Sequence, residues 1–170
     1  DLALIADYWN AHSRAYHHTA PISMLYGLRE ALRLVHEEGL PARTARHQLN
    51  SDALLAGLRT LGLSPLPPPG CRLPMLNCVT LPDGIDETMV RTRLLQEYGI
   101  EIGGGLGPLR GRVWRIGLMG ESCQHAHVLT LLNALEALCT SLGWPVQPGR
   151  AIQAATDTYP QSPESSRRQA

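Results

Sequence analysis

The sequence predicts an α/β protein, a helical linker followed by a small β-α-β-β-α sandwich. Three features carry that expectation. Apolar residues recur at helical spacing between Leu25 and Leu61. Two compact apolar runs of strand length follow, "MLNCVTL" at 75–81 and "VWRIGLM" at 113–119. One helix face lies between these runs and another after them, the alternation that lays helices on a sheet.

The elements read in order as follows. "LALIADYWN" is a short helix with Leu2, Ile5 and Trp9 on one side. The loop "AHSRAYHHTAP" leads into a helix with Leu25, Leu28, Leu32 and Val35 on one face, punctuated by Gly39 and Pro41. A second long helix covers 42–62, with Leu54, Leu58 and Leu61 in register and Gly62 as its stop. "SPLPPPG" at 64–70 is a rigid extended connector. After the strand at 75–81, "PDG" makes a turn and Asp86 is an N-cap. Val90, Leu94, Leu95 and Tyr98 form the next helix face, and "IEI" at 100–102 is a short strand. "GGGLGPLRG" is a glycine-rich loop before the strand at 113–119. Ser122 caps a last helix lined by Val128, Leu131, Leu135, Leu138 and Leu142. From residue 143 to 170 the composition shifts to Gly, Pro, Gln, Ser and Thr, which predicts a largely disordered tail.

Bulk composition narrows the functions. The 170 residues suffice for one domain with a core, at 44% hydrophobic and 18% charged residues. Formal net charge is zero, so no nucleic-acid or anionic-membrane partner is expected, and no apolar run reaches membrane-spanning length. All fifteen basic residues are Arg. A lysine Schiff base therefore cannot be completed within this chain. The absence of an initiator Met suggests a piece cut from something longer. Cys71, Cys78, Cys123 and Cys139 include no CxxC pair, so no metal site is expected. Cys78 and Cys139 read as small core residues, in a reducing compartment without disulfides.

Three stretches could carry chemistry. "YHHT" at 16–19 reads as a polar loop entering a helix, or as a phosphate cradle. For the cradle, Tyr16 and Thr19 supply hydroxyls and the following helix start supplies free N–H groups, with Arg14 as the one nearby cation. A metal reading of His17 and His18 is weaker, because adjacent imidazoles diverge and neither has an i+4 partner. "GGGLG" runs into a strand instead of a helix, so it is a connection and not a dinucleotide loop, unless its glycines admit a ligand close to the backbone. On the strand "VWRIGL", Trp114, Ile116 and Leu118 share the core face, and Val113, Arg115 and Gly117 the other. Arg115 is then either a solvated arginine on an open sheet face or a bidentate clamp for a carboxylate. His125 and His127 diverge on a helix and read as surface residues.

Taken together, "YHHTAP", "SMLYGLREAL", "EEGL", "IEIGGGLGP" and "GRVWRIGLMG" resemble the C-terminal part of alanine–glyoxylate (serine–pyruvate) aminotransferases. These are pyridoxal 5'-phosphate enzymes of class V, fold type I. The resemblance runs through residues 1–142 and implies three segments. Residues 1–21 are the end of the large cofactor domain, 22–142 the small C-terminal domain with its linking helix, and 143–170 an unmatched tail. It implies that Tyr16 and Thr19 bind the cofactor phosphate of the neighbouring subunit of a homodimer. It implies that Arg115 grips the substrate α-carboxylate and that Gly104 to Pro108 lie toward the active-site entrance. The implied reaction moves an amino group from alanine or serine to glyoxylate or pyruvate. The Schiff-base lysine of such enzymes has no counterpart here, so no catalytic residue is assigned and the chain alone is expected to be inactive. The alternative is a non-catalytic truncated small domain serving as an interaction or folding module. The expected location is cytoplasmic, or a peroxisome or mitochondrion if the source is eukaryotic; "SRRQA" is no SKL-type signal.

Overall fold

A computed structural model describes residues 1–10, 12 and 15–160. Arg14 and residues 161–170 lie outside the described residues. The chain divides into two compact units, Asp1–Leu40 and Pro41–Ala170. The division falls after the linking helix, whereas the sequence reading put that helix with the C-terminal domain.

The first unit holds α1 (Leu2–Tyr8) and α2 (Ile22–Glu38). Asp1 caps α1, its carboxylate accepting from the Ala3 N–H at 2.9 Å. Gly39, at φ +78°, ends α2 in a conformation that favours glycine. The expected stripe on α2 is present, yet Leu25, Leu28 and Leu32 are exposed and neither helix has a buried residue. On α2, Arg33 bridges Glu30 and Glu37 one turn away on either side.

The second unit comprises α3 (Leu40–Thr60), β1 (Ser64–Pro65), β2 (Leu76–Thr80), α4 (Glu87–Tyr98), β3 (Gly103–Gly104), β4 (Val113–Gly117), α5 (His125–Ser141) and α6 (Arg150–Thr156). The sheet order is β1-β2-β4-β3, with every neighbouring pair antiparallel. The β2–β4 register sets Asn77 opposite Ile116, Cys78 opposite Arg115 and Val79 opposite Trp114. Alternation then sorts the sheet into two faces. Asn77, Val79, Trp114 and Ile116 are buried, while Cys78 and Arg115 are only half-buried on the other side. Leu54 and Leu58 of α3, Val90 and Leu94 of α4 and Leu132 and Leu135 of α5 close the core over the first face. One buried polar link crosses it, Ser51 Oγ donating to Asn77 Oδ1 at 2.7 Å.

Several expectations are met. Asp86 caps α4 by accepting from the Met89 N–H at 2.9 Å, and Gly99 closes it at φ +67°. His125 and His127 are exposed. Others need correction. The strand expected at 100–102 lies instead at Gly103 and Gly104, which pair with Arg115 and Trp114, and Ile102 is buried as a core residue. Part of the connector forms the edge strand β1, since an edge tolerates a proline that makes no ladder donation. Ser122 does not cap α5: it sits in a short turn, Gly120–Ser122, and the N-cap is Gln124 without a side-chain bond. Cys123, not Cys78, joins Cys139 in the core, and Cys71 is exposed.

The tail is the largest correction. Residues 150–156 form α6, with Ala151 and Ala155 fully buried. The α5 residue Glu136 caps it: its carboxylate accepts from the Ala151 N–H at 2.9 Å and from Gly149 N–H. Past the helix, the Tyr159 hydroxyl donates to Asn50 Oδ1 at 2.7 Å.

Candidate functional site

The predicted site residues fall in both units. Tyr16 and Thr19 belong to Asp1–Leu40 and Arg115 to Pro41–Ala170, so each half is described by itself.

In the first unit, the Tyr16 and Thr19 hydroxyls hydrogen-bond to one another, and both side chains are exposed. Their three-residue separation on the loop makes the meeting a local event. The Tyr16 ring stands edge-on to Tyr8 with centroids 6.5 Å apart, and His18 tilts against the same Tyr8 at 5.5 Å. His17 and His18 share an Nδ1···Nδ1 hydrogen bond of 2.8 Å. Three residues after Thr19 the chain enters α2, and Pro21 at the N-cap offers its first turn no side-chain acceptor. Two hydroxyl donors therefore stand next to a long helix whose leading N–H groups are uncapped. That donor set suits a phosphate.

In the second unit, Arg115 projects from the sheet face opposite the core. Its Nε–H donates to the Gly104 carbonyl at 2.8 Å. Among the described residues no carboxylate pairs with it, in contrast to Arg91, which bonds Glu87 at 2.6 Å, and Arg93, which bonds Glu97 at 2.5 Å. Cys78 stands directly across the ladder. Burial pushes the Cys78 thiol up, and the Arg115 charge partly offsets this. A half-buried guanidinium with its terminal nitrogens unengaged is suited to a carboxylate from outside the chain.

The glycine-rich loop explains how this is arranged. A Cβ on Gly103 would stand 3.2 Å from Arg115 Nη2, and one on Gly104 3.2 Å from Arg91 Nη2. A Cβ on Gly105 would reach 1.9 Å from the Leu109 carbonyl oxygen. These glycines let two arginines and a neighbouring turn come close to the backbone. The glycines are plain in the sequence but what they admit is not, because the β3–β4 register that brings Gly103 to Arg115 is set by tertiary pairing. A cleft of about 560 Å³ in this unit, between Leu61, Ile85 and Trp144, contains none of the predicted site residues.

No protein-family model matches the chain. It is 45% identical to the (S)-ureidoglycine–glyoxylate transaminase of Bacillus subtilis, over 94% of this chain and 38% of that protein. The crystal structure of the ureidoglycine–glyoxylate aminotransferase from Bacillus subtilis superposes with a TM-score of 0.85 at 44% identity, over 94% of this chain and 41% of that one. An alanine–glyoxylate aminotransferase of Drosophila melanogaster is 41% identical over 83% of this chain and 37% of its own length. A pyridoxamine–pyruvate aminotransferase structure from Mesorhizobium loti superposes with a TM-score of 0.79 at 34% identity, over 91% of this chain and 40% of that one. In fold and sequence the chain is similar to part of these aminotransferases, with a mixed α/β architecture. More particularly, it fits the C-terminal part of such enzymes and spans about two fifths of the length of the relatives it matches.

Proposed function

We propose that the chain supplies the substrate-carboxylate clamp and the cofactor-phosphate arm of a pyridoxal 5'-phosphate-dependent transaminase of the alanine–glyoxylate or serine–pyruvate type, class V, acting as a homodimer. The observation that carries the reading is Arg115, a braced guanidinium without an acidic partner among the described residues. The amino donors named for the relatives differ: ureidoglycine, alanine and pyridoxamine. The acceptors named are glyoxylate and pyruvate. Both are 2-oxo acids, and the carboxylate they share is the part a guanidinium holds. Arg115 thus reads the acceptor, and the donor amino acid through its own carboxylate where it has one.

Tyr16 and Thr19 would donate hydroxyl hydrogens to the phosphate of the neighbouring subunit's cofactor, beside the positive end of α2. When bound, pyridoxal phosphate supplies the electron sink for proton loss at the substrate Cα. The chain has no lysine, so the amine that anchors the cofactor and moves that proton comes from outside these 170 residues. This chain would hold two anions, the phosphate of a neighbouring subunit's cofactor through Tyr16 and Thr19 and a substrate carboxylate through Arg115.

The test is Arg115→Ala in a complete transaminase carrying this segment, assayed for glyoxylate-dependent amino transfer from alanine or serine. KM for glyoxylate rises, and kcat/KM falls by about 2–4 kcal/mol, the scale of a lost charge-assisted contact. An unchanged kcat/KM rejects the clamp.

A further inference from the structure

We infer that Gly103 and the Gly104 carbonyl are positioning residues for Arg115, and that they commit it to taking a carboxylate end-on, through Nη1 and Nη2. The inference rests on the clamp reading and adds to it the edge of the guanidinium that is used.

A guanidinium is a planar fork with two edges able to hold a carboxylate by paired hydrogen bonds. One edge runs from Nε to a terminal nitrogen, and the other joins the two terminal nitrogens. In Arg115 the Nε–H already donates to Gly104 O at 2.8 Å, so the first edge is engaged by the protein. Nη1 and Nη2 make no hydrogen bond among the described residues. The end edge is therefore the open one.

The same bond fixes the plane. The stem is held on β4, Nε is tied to β3, and the head lies over the Cα of Gly103, its register partner. A methyl at Gly103 would stand 3.2 Å from Nη2 and 3.5 Å from both Cζ and Nε. The first distance is tight and the other two are ordinary contact, and the crowded atom is the far end of a long side chain. The guanidinium yields before the backbone does, so substitution at Gly103 moves the clamp and leaves the fold in place. Gly105 behaves differently, because what its Cβ would strike is the backbone carbonyl of Leu109.

Two measurements on Gly103→Ala decide the matter. In the 170-residue chain, nitrogen-15 NMR follows the Arg115 Nε–H, assigned by its loss in Arg115→Lys. It is a protected proton in the parent, and its solvent exchange quickens about 10-fold in Gly103→Ala as the bond to Gly104 O loosens. In a complete transaminase carrying the segment, Gly103→Ala raises KM for glyoxylate about 10-fold and leaves kcat within about 2-fold, because only carboxylate placement has changed. An unfolded Gly103→Ala chain overturns the inference, since the side chain was to give way first. An unshifted Nε–H with unchanged KM also overturns it. If Gly103→Ala leaves KM unchanged while Arg115→Ala raises it, the clamp stands and the positioning role falls. If Arg115→Ala itself has no effect, the clamp reading falls and the inference goes with it.

Discussion

The two candidate binding segments, one in each unit, are built in opposite ways. The Tyr16–Thr19 arm sits in a unit whose helices bury nothing, and its two hydroxyls satisfy each other. Arg115 sits on a strand whose other face is the centre of the core, with Trp114 and Ile116 as its chain neighbours. Its bond to Gly104 and its seat over Gly103 exist without any ligand. One half is an exposed local loop and the other is preorganised by tertiary structure. Preorganisation lowers the ordering cost at the moment of binding, and Arg115 is the group whose geometry is set in advance.

The largest effect should come from the preorganised half. Gly105→Ala forces the Leu109 carbonyl away from 1.9 Å, a clash that backbone movement alone relieves. A loss of about 3 kcal/mol or more in a denaturant titration is expected. A Gly105→Ala chain as stable as the parent would show that the loop is not braced.

The pH dependence sharpens the comparison next. Burial pushes the Cys139 thiol from its ordinary 9.0 to about 12, and the Tyr159 hydroxyl from 10.0 to about 12. Both are acids whose proton is held more tightly in the folded state. The unfolded chain releases these protons first, so the stabilisation is complete below pH 9 and is lost as pH rises toward about 12. Stability of the second unit should fall through that window, and Cys139→Ala should flatten part of the fall. Fluorescence of Trp114 and Trp144, both in the second unit, reports it.

The arm should give the smallest change in stability. Tyr16→Phe with Thr19→Val removes two exposed hydroxyls and should shift the unfolding midpoint by less than about 0.5 kcal/mol. In a complete enzyme the same pair should weaken cofactor retention by about 1–2 kcal/mol, one net hydrogen bond each, measured as the dissociation constant for pyridoxal phosphate. A large loss of stability with no change in retention would reverse the roles assigned to the two halves.

The reading from sequence succeeded where information is local. Period-3.6 faces gave the helices, period-2 alternation separated Trp114 and Ile116 from Arg115, and Asp86 announced its cap. It failed where partners are distant. The α6 segment "RAIQAAT" has no apolar stripe, and its order depends on two buried alanines and the Glu136 carboxylate arriving from α5. On α2 the apolar stripe was visible, but the pattern could not say that it stays exposed in this chain.

By itself, then, the sequence determined the class of fold, the chemistry available and the chemistry missing. It placed hydroxyls before a helix and an arginine on the free face of a strand, and it contains no lysine. Only the tertiary structure decided what those groups can do. Residues 103 and 115 meet because strand pairing brings them together, and no local propensity encodes that register. The three glycines look alike in the chain, yet one seats Arg115, the next seats Arg91 and the third clears a carbonyl. Residue type is written locally, whereas the neighbour that gives it a task is supplied by packing.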